Sequence, residues 1–265
     1  MSGLKHIIFK LFIFYFNNFP IERGKYRLAT IINFLFGSFK IKGKDDIWIE
    51  VFSNSIQDLY LLSIPDSDLV YKEVSMLRRG NLFVDVGANI GFFSLLASQR
   101  VGSSGVVISF EPSKREFMRM CHAILLNNSH NIISFNNALS SKSGVMLIDV
   151  DQQHTGMNKL SLSTSSSSFL DLVAGFKLDE LTPFLNDRNI DLLKIDVEGA
   201  EVLVLEGMSN LLNKKRIKKI IVEITPKFLA EYGHTKVDLY GFLEKRGYKP
   251  TINAEDWQYD EIFLC

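Results

Sequence analysis

The sequence predicts an α/β fold in which helices cover both faces of a mostly parallel sheet of seven strands. From residue 82 onward, short apolar segments alternate with segments of helical spacing. Parallel strands need long crossover connections, so this alternation indicates five parallel strands joined by helices. Two further short strands, near 249–252 and 261–264, predict a hairpin that completes the sheet.

The predicted elements follow one another in a regular order. The parallel strands are 82–86, 106–111, 132–136, 191–196 and 219–224. The helices that alternate with them are 91–100, 113–127, 178–187, 200–212 and 237–246. A helical pattern at 69–79 leads into the first strand, so we expect the main domain to span residues 69–265.

One region, at about 145–175, interrupts this order. Residues 145–150 have the pattern of an inserted strand, and residues 161–168 form a polar, serine-rich and turn-prone stretch. We therefore predict an inserted loop in this region. The polar stretch either covers the functional site or is a plain surface linker.

Residues 1–68 form a basic, aromatic extension that is predicted to be helical and then to contain a strand pair. Between residues 5 and 44, eight basic residues are accompanied by a single acid, Glu22. The apolar stretch 7–16 is too short to span a bilayer. Two interpretations stay open for residues 1–44: a solvated face beside a helical core, or peripheral contact with anionic lipid or an acidic substrate.

The charge and cysteine content of the chain limit which binding partners and which cellular compartment we expect. The chain has 30 basic and 30 acidic side chains and therefore no net charge, so we expect no nucleic-acid partner. Because its only two cysteines are Cys121, in a helical pattern, and Cys265, at the last residue, we expect no disulfide framework. This pattern suits a reducing cytoplasm, and membrane association through the basic extension is compatible with that location.

A strand, a glycine-punctuated turn and a helix start occur together at residues 83–94. Such an element binds nucleotide-like cofactors. Gly87 allows a tight turn, Asn89 offers a polar contact and Gly91 lets the helix approach closely. Glu111 follows at the end of the next strand, where a carboxylate can accept hydrogen bonds from both hydroxyls of a ribose.

The charge of this loop indicates which cofactor it binds. Asp85 lies two residues before Gly87, and the glycines lack the Gly-x-Gly-x-x-Gly spacing of dinucleotide folds. A carboxylate here would repel a pyrophosphate but suits an adenosine that carries an ammonium and a sulfonium. We therefore expect S-adenosylmethionine, with an ordinary strand, turn and helix capped by Asp85 as the structural alternative.

Acidic residues lie at the ends of two later strands, at the edge where open parallel sheets bind ligands. Asp196 and Glu198 belong to the first of these strand ends and Glu223 to the second. We expect the three carboxylates to converge on the transferred methyl group, where one accepts the acceptor's proton. Strand periodicity places Lys194 on the face of Asp196, so a structural ion pair of Lys194 with Asp196 or Glu223 is the alternative.

Other chemistry is also compatible with this edge. Asp196 and Glu223 could instead hold a hard divalent cation that lowers the pKa of an acceptor hydroxyl. His234, in a turn before a helix, and His154, in the inserted region, are further candidate bases that rank below the acids.

Several motifs resemble, in order and spacing, those of the FkbM family of S-adenosylmethionine-dependent methyltransferases. They are FVDVGANIGFFS at 83–94, ISFEPS at 108–113, NNALSSKSG at 136–144, LDEL at 178–181, LLKIDVEGAEVLVLEG at 192–207 and IIVEI at 220–224. The resemblance covers about residues 69–265 and implies a Rossmann-like class I methyltransferase fold. It also implies cofactor contacts at Asp85, Gly87, Asn89, Gly91 and Glu111, with Asn137 and Ala138 beside the adenine.

The resemblance further implies O-methylation of a small-molecule or glycan acceptor, such as a sugar, polysaccharide, glycolipid or polyketide-type product. Two alternatives stay open. Asp85 and the missing third glycine disfavour a nicotinamide-dependent oxidoreductase on a similar sheet. The intact cofactor loop and acidic strand ends disfavour a non-catalytic binding module. A base-modifying enzyme is disfavoured because no Asn/Asp-Pro-Pro-aromatic tetrapeptide occurs.

Overall fold

The chain forms two compact units, Met1–Pro65 and Asp66–Cys265. The computed structural model describes residues 2–18, 22–62, 64–151, 158–161, 169–185, 187–252 and 256–265.

The described residues of the first unit form three α-helices, a short 3-10 helix at Lys44–Asp46 and one strand pair. Its elements are α1 (Ser2–Asn18), α2 (Glu22–Phe36), β1 (Phe39–Lys42), β2 (Trp48–Val51) and α3 (Ile56–Leu62). The two strands pair antiparallel. The ring of Phe9 stacks on that of Phe39, with centroids 4.1 Å apart, so buried aromatic side chains hold α1 against β1.

The second unit is built on a seven-stranded, mostly parallel sheet, which confirms the predicted fold class. Its strands are β3 (Leu82–Val86), β4 (Val106–Phe110), β5 (Ile132–Phe135), β6 (Ala138–Leu139), β7 (Gly144–Val150), β8 (Lys159–Ser161), β9 (Phe169–Phe176), β10 (Leu192–Ile195), β11 (Lys219–Ile224), β12 (Lys249–Pro250) and β13 (Tyr259–Leu264). The order in the large sheet is β12-β13-β11-β10-β3-β4-β5. The strands from β11 to β5 run parallel, and β13 is antiparallel to both of its neighbours.

Helices connect these strands. They are α4 (Leu69–Ser75), α5 (Phe92–Val101), α6 (Lys114–Leu126), α7 (Glu201–Glu206), α8 (Ser209–Asn213), α9 (Pro226–Glu231) and α10 (Lys236–Glu244). Every side chain of β3 and β10 is buried, as expected for central strands that are covered on both faces. The strand order reverses between β3 and β10, and open α/β sheets bind ligands beyond the carboxyl ends of the strands at such a point.

Two predicted helices differ from those in the structure. The predicted helix 200–212 is divided into α7 and α8. At the break, Gly207 packs so closely on the backbone that a Cβ would lie 2.1 Å from the Ser140 oxygen. The predicted helix 178–187 is a 3-10 helix over Leu178–Leu185 that contains Pro183. Proline has no N–H to donate, which disfavours a continuous α-helix there.

The inserted region contains a second sheet, of order β6-β9-β7-β8, in addition to the strand predicted at 145–150. Four buried side chains form its core: Ala138, Ile148, Val150 and Val173. The sheet is held mainly by β7 and β9, which pair antiparallel along the whole of β7. His154 and positions 162–168 of the predicted polar stretch lie outside the described residues.

The Gly87→Ala variant tests how tightly the turn after β3 packs. Gly87 has a φ of 78°, and a Cβ there would lie 1.8 Å from the backbone oxygen of Asp196. A left-handed backbone alone costs a residue with a side chain about 1–2 kcal/mol. With the clash added, we expect the unfolding free energy to fall by more than about 2 kcal/mol in urea denaturation.

Gly241→Ala is the matched control for this measurement. Gly241 lies within α10, and no atom outside its own helix is within 4 Å of the position of its Cβ. Alanine should therefore stabilise the protein by about 0.5–1 kcal/mol. If both variants changed stability equally, the close backbone contact at Gly87 would be wrong.

Candidate active site

The carboxyl ends of the parallel strands bring the predicted site residues to one edge of the large sheet. Asp85 and Lys194 are direct neighbours in the register of β3 and β10. Glu111 follows β4, Asp196 follows β10, and Glu223 lies near the end of β11. These residues therefore surround the point at which the strand order reverses.

Three residues with left-handed backbone shape the turn after β3. Gly87, Asn89 and Gly91 have φ angles of 78°, 53° and 84°. The amides of Gly87 and Ala88 both donate to the carbonyl oxygen of Phe110, at 3.0 and 2.9 Å, which fixes the turn to β4. Because glycine and asparagine tolerate this conformation better than most residues, the sequence suits the turn at all three positions.

The carboxylate of Glu111 contacts this turn directly. Its Oε2 accepts a hydrogen bond from the amide of Asn89, and its Oε1 accepts one from the amide of Ser113, both at 2.8 Å. Each oxygen keeps a further lone pair. Burial raises the pKa of Glu111 to about 8, although the two backbone hydrogen bonds act in the opposite direction. A buried carboxylate with unused acceptor capacity fits the two hydroxyls of a ribose.

Asp85 is fully buried beneath the turn. Its Oδ2 accepts a hydrogen bond from the hydroxyl of Ser94 at 2.6 Å, and that hydroxyl lies 2.7 Å from the hydroxyl of Ser109. Its Oδ1 lies 3.7 Å from Nζ of Lys194. The geometry thus makes Asp85 a buried partner of Lys194, whereas its expected contact with a cofactor stays a prediction.

Lys194 is a buried cation between two carboxylates. Its Nζ lies 2.9 Å from Oδ2 of Asp196, so the ion pair considered from the sequence is present, and Asp85 is the second partner. Burial alone would lower the pKa of Lys194, but the charges of Asp196 and Asp85 outweigh this effect and raise it. The ammonium therefore stays charged, and it also lies 5.6 Å from the ring centroid of Phe93.

Asp196, Glu198 and Glu223 form an acid cluster. One carboxylate oxygen from each residue lies within 4.8 Å of the other two. The charge of Asp196, followed by burial, raises the pKa of Glu223. Burial, followed by the charge of Asp196, raises the pKa of Glu198. The structure thus brings together the three acids that the sequence places at this edge, and their mutual repulsion favours a bound proton or cation.

Two residues of the last hairpin that were not predicted from the sequence border the acid cluster. Asp260 is the register partner of Glu223, and burial together with the charge of Asp196 raises the pKa of Asp260 to about 7. The side-chain amide of Gln258 donates to Oε1 of Glu223 at 2.8 Å. The sequence predicts this strand only from residue 261, which leaves both residues in the preceding turn.

The segment after β10 turns sharply before α7. Glu198 and Gly199 have φ angles of 55° and 108°, and a Cβ at Gly199 would lie 2.5 Å from the carbonyl oxygen of Phe228. The carboxylate of Glu201 accepts a hydrogen bond from the amide of Gly199 at 2.9 Å, and burial raises its pKa to about 7. This turn brings Glu198 back beside Asp196.

The residues predicted to lie beside an adenine follow β5. Ala138 is buried at the start of β6, and the side-chain amide of Asn137 donates to the carbonyl oxygen of Ala174 at 2.9 Å. Asn136, which was not predicted as a site residue, donates to the carbonyl oxygen of Glu111 at 2.9 Å. Asn136 therefore ties the end of β5 to the residue that contacts the glycine turn.

The second sheet approaches the acid cluster through β8. Lys159 forms an ion pair with Glu231, and the hydroxyl of Tyr232 donates to the carbonyl oxygen of Leu160 at 2.6 Å. The charge of Lys159 acts to lower the pKa of Glu198, although burial and the neighbouring acids dominate and raise it. β8 and α9 therefore contact each other and lie next to the acid cluster.

The histidine predicted as a second base does not join this cluster. Among the described residues, the group of converging ligand atoms contains only the three carboxylates. His234 lies in the turn before α10, and its charge acts on Asp238 in the first turn of that helix. Its role as a base stays a prediction.

Comparison with known proteins identifies the family. Residues 85–250 match the methyltransferase FkbM domain. The chain is 23% identical over 242 residues to methyltransferase sdnD of Sordaria araneosa, which covers 77% of this chain and 91% of that protein. It is 28% identical over 191 residues to hexuronic acid methyltransferase AglP of Haloferax volcanii, which covers 70% of this chain and 69% of that protein.

A solved structure shows the same fold. The crystal structure of the FkbM methyltransferase from Methylobacillus flagellatus matches with a TM-score of 0.50 at 15% identity, over 76% of this chain and 47% of that chain. The sheet is therefore that of a Rossmann-like methyltransferase. Because the domain match spans more than half of the sequence, this chain belongs to the FkbM family of methyltransferases.

Proposed function

We propose that this chain is an S-adenosylmethionine-dependent O-methyltransferase that acts on a hydroxyl of a sugar, polysaccharide, glycolipid or related natural product. One observation carries the proposal: the Glu111 carboxylate, with unused acceptor capacity, and the acid cluster lie on the two sides of β3 at one sheet edge. Family membership supports methyl transfer. A relative named as a hexuronic acid methyltransferase supports a sugar acceptor.

The glycine turn and Glu111 form the cofactor side of the proposed site. Glu111 would hold the two ribose hydroxyls of the cofactor, and Asn137 and Ala138 would lie beside its adenine. Gly87 and Gly91 keep the backbone of the turn close to the neighbouring elements, because a Cβ at either position would meet atoms closer than 3 Å. The cofactor, when bound, supplies a methyl group on a sulfonium.

Lys194 and Asp85 set the charge of the proposed site. An unpaired ammonium at this edge would repel a cationic cofactor, because charge repulsion is strong where water is excluded. Asp85 and Asp196 neutralise Lys194 from two sides. Asp85 is therefore a positioning residue in this proposal and acts through Lys194.

The acid cluster forms the acceptor side. Methyl transfer to a hydroxyl releases a proton, which a nearby carboxylate can accept. The raised pKa values of Glu198 and Glu223 make the ionised form of either residue a stronger base than an ordinary carboxylate. One of the three acids takes the proton, while the ion pair with Lys194 holds Asp196 in place.

A divalent cation on Asp196 and Glu223 is the second form of this proposal. Carboxylate oxygens are the ligands that hard cations prefer, and the cluster's oxygens lie within 4.8 Å of one another, so the residues fit such an ion. The cation would lower the pKa of the acceptor hydroxyl. Loss of product when a chelator is added to a cell extract would distinguish this form from direct proton transfer.

The Glu111→Gln variant tests the cofactor side. An amide offers one acceptor oxygen where the carboxylate offers two, and charged hydrogen bonds contribute about 1.5–3 kcal/mol. We expect the affinity for S-adenosylhomocysteine to fall about 10- to 100-fold in isothermal titration calorimetry. Glu244→Gln, an exposed substitution on α10, is the control. Undiminished affinity in Glu111→Gln would refute the ribose contact.

The Glu223→Gln variant tests the acceptor side. Glutamine keeps the size of the side chain but cannot accept the proton. We expect affinity for S-adenosylhomocysteine to stay within about twofold while turnover is lost. Glycans and lipids can then be compared by mass spectrometry in cells that contain the wild-type protein, the variant or neither. Only the cells with the wild type should show a molecule that is heavier by one methylene group. A variant that makes wild-type amounts of product contradicts the role of Glu223.

Rising pH is expected to weaken the fold. The pKa values of Glu111, Glu201 and Asp260 are raised to about 8, 7 and 7 in the folded protein, against about 4 in an unfolded chain. Their stabilising contribution is therefore complete below about pH 4 and is lost as the pH rises through about 7–8. Urea denaturation should show unfolding free energy falling by up to about 1.4 kcal/mol per pH unit for each proton released.

Asp260→Asn provides the specific test of this pH dependence. The variant lacks one titrating carboxyl, so its stability should fall less steeply than that of the wild type. The exposed Glu244→Gln variant should retain the wild-type slope. If Asp260→Asn also kept that slope, the raised pKa of Asp260 would be wrong.

A further inference from the structure

The helix α1 exposes an apolar face in the part of the chain that the structure describes. Phe9 and Phe12 are buried in the first unit, whereas Ile7 and Leu11 are 57% and 63% exposed. A helix turns by about 100° per residue, so positions 7 and 11 share one side of α1 while position 9 lies on the opposite side. The helix therefore has one apolar face that packs in the core of the first unit and a second apolar face that is exposed.

The helix α2 repeats this arrangement. Ala29 and Ile32 are buried, whereas Ile31, Phe34 and Leu35 are 54%, 87% and 63% exposed. These three positions lie within about 100° of one another around the helix axis. Large exposed apolar side chains, grouped on one face, indicate a surface that binds a partner.

The charge around these helices indicates the kind of partner. Eight basic residues and one acid lie between residues 5 and 44, although the whole chain has 30 of each charge. Lys10 and Arg27 are exposed on the same helices. Long basic side chains next to apolar ones can reach phosphate groups while the apolar side chains enter the acyl region. This combination is complementary to an anionic lipid surface.

We propose that α1 and α2 bind the surface of an anionic bilayer, with Ile7, Leu11, Ile31, Phe34 and Leu35 inserted at the boundary between headgroups and acyl chains. Among the described residues, no helix is both long and apolar enough to cross a membrane. Because each helix packs one side on the first unit and exposes apolar side chains on another, the proposal places both helices in the plane of the interface. This inference is independent of the proposed reaction, since it uses only residues of the first unit.

Sedimentation of the full chain with lipid vesicles tests the proposal. We expect binding to vesicles of phosphatidylcholine mixed with phosphatidylglycerol, much weaker binding to phosphatidylcholine alone, and a decrease with added salt. The double variant Leu11→Ser and Phe34→Ser should bind at least about tenfold more weakly, because each large apolar side chain contributes the equivalent of about a tenfold change in affinity. Arg27→Glu should weaken binding to the anionic vesicles specifically.

Leu125→Ser is the matched control, because Leu125 is a similarly exposed apolar residue on α6 of the second unit. It should bind vesicles like the wild type. All variants should keep wild-type affinity for S-adenosylhomocysteine, which shows that the fold is intact. The proposal is overturned if the wild type fails to bind anionic vesicles, or if the double variant binds as well as the wild type. It is also overturned if light scattering shows a dimer that the double variant abolishes, since a second copy would then cover this face.

Discussion

The placement of Lys194 inside the central sheet is the constraint on which the site depends. A buried ammonium is strongly unfavourable unless it is paired, and here Asp85 comes from the neighbouring strand and Asp196 from the end of the same strand. The pairing joins β3 to β10 where the strand order reverses. Removing one partner of such a buried pair costs about 3–5 kcal/mol, because the remaining charge is left uncompensated. A substitution at Lys194, Asp85 or Asp196 therefore also changes the electrostatic environment of the other two residues.

The same lysine organises the acids around it. Asp196 lies between Lys194 and the two glutamates of the cluster, so one carboxylate both satisfies the buried cation and raises the pKa values of Glu198 and Glu223. Asp260 responds to the same charge from the antiparallel strand β13. The charge of Asp196 therefore raises the pKa values of its acidic neighbours from three different segments at the carboxyl edge of the sheet.

Much of the fold could be predicted because local patterns of apolar residues determine it. Alternating apolar and helical segments define β3, β4, β5, β10 and β11, and the motif after β10 places Asp196 and Glu198 at the correct edge. Features that depend on contacts distant in sequence are not visible in such patterns. Gly207 interrupts a helix because it packs on Ser140, and Asp85 is covered by Ser94 and Lys194.

The attachment of β8 to α9 has a consequence for how this enzyme family can diversify. Under the proposed function, the donor is held by the turn after β3 and by Glu111. Under the same proposal, the acceptor would meet residues from β10, β11, β13 and the second sheet, which Tyr232 and Lys159 attach to α9. If this assignment holds, mutations in the second sheet would alter which molecule is modified while the methyl source stays the same.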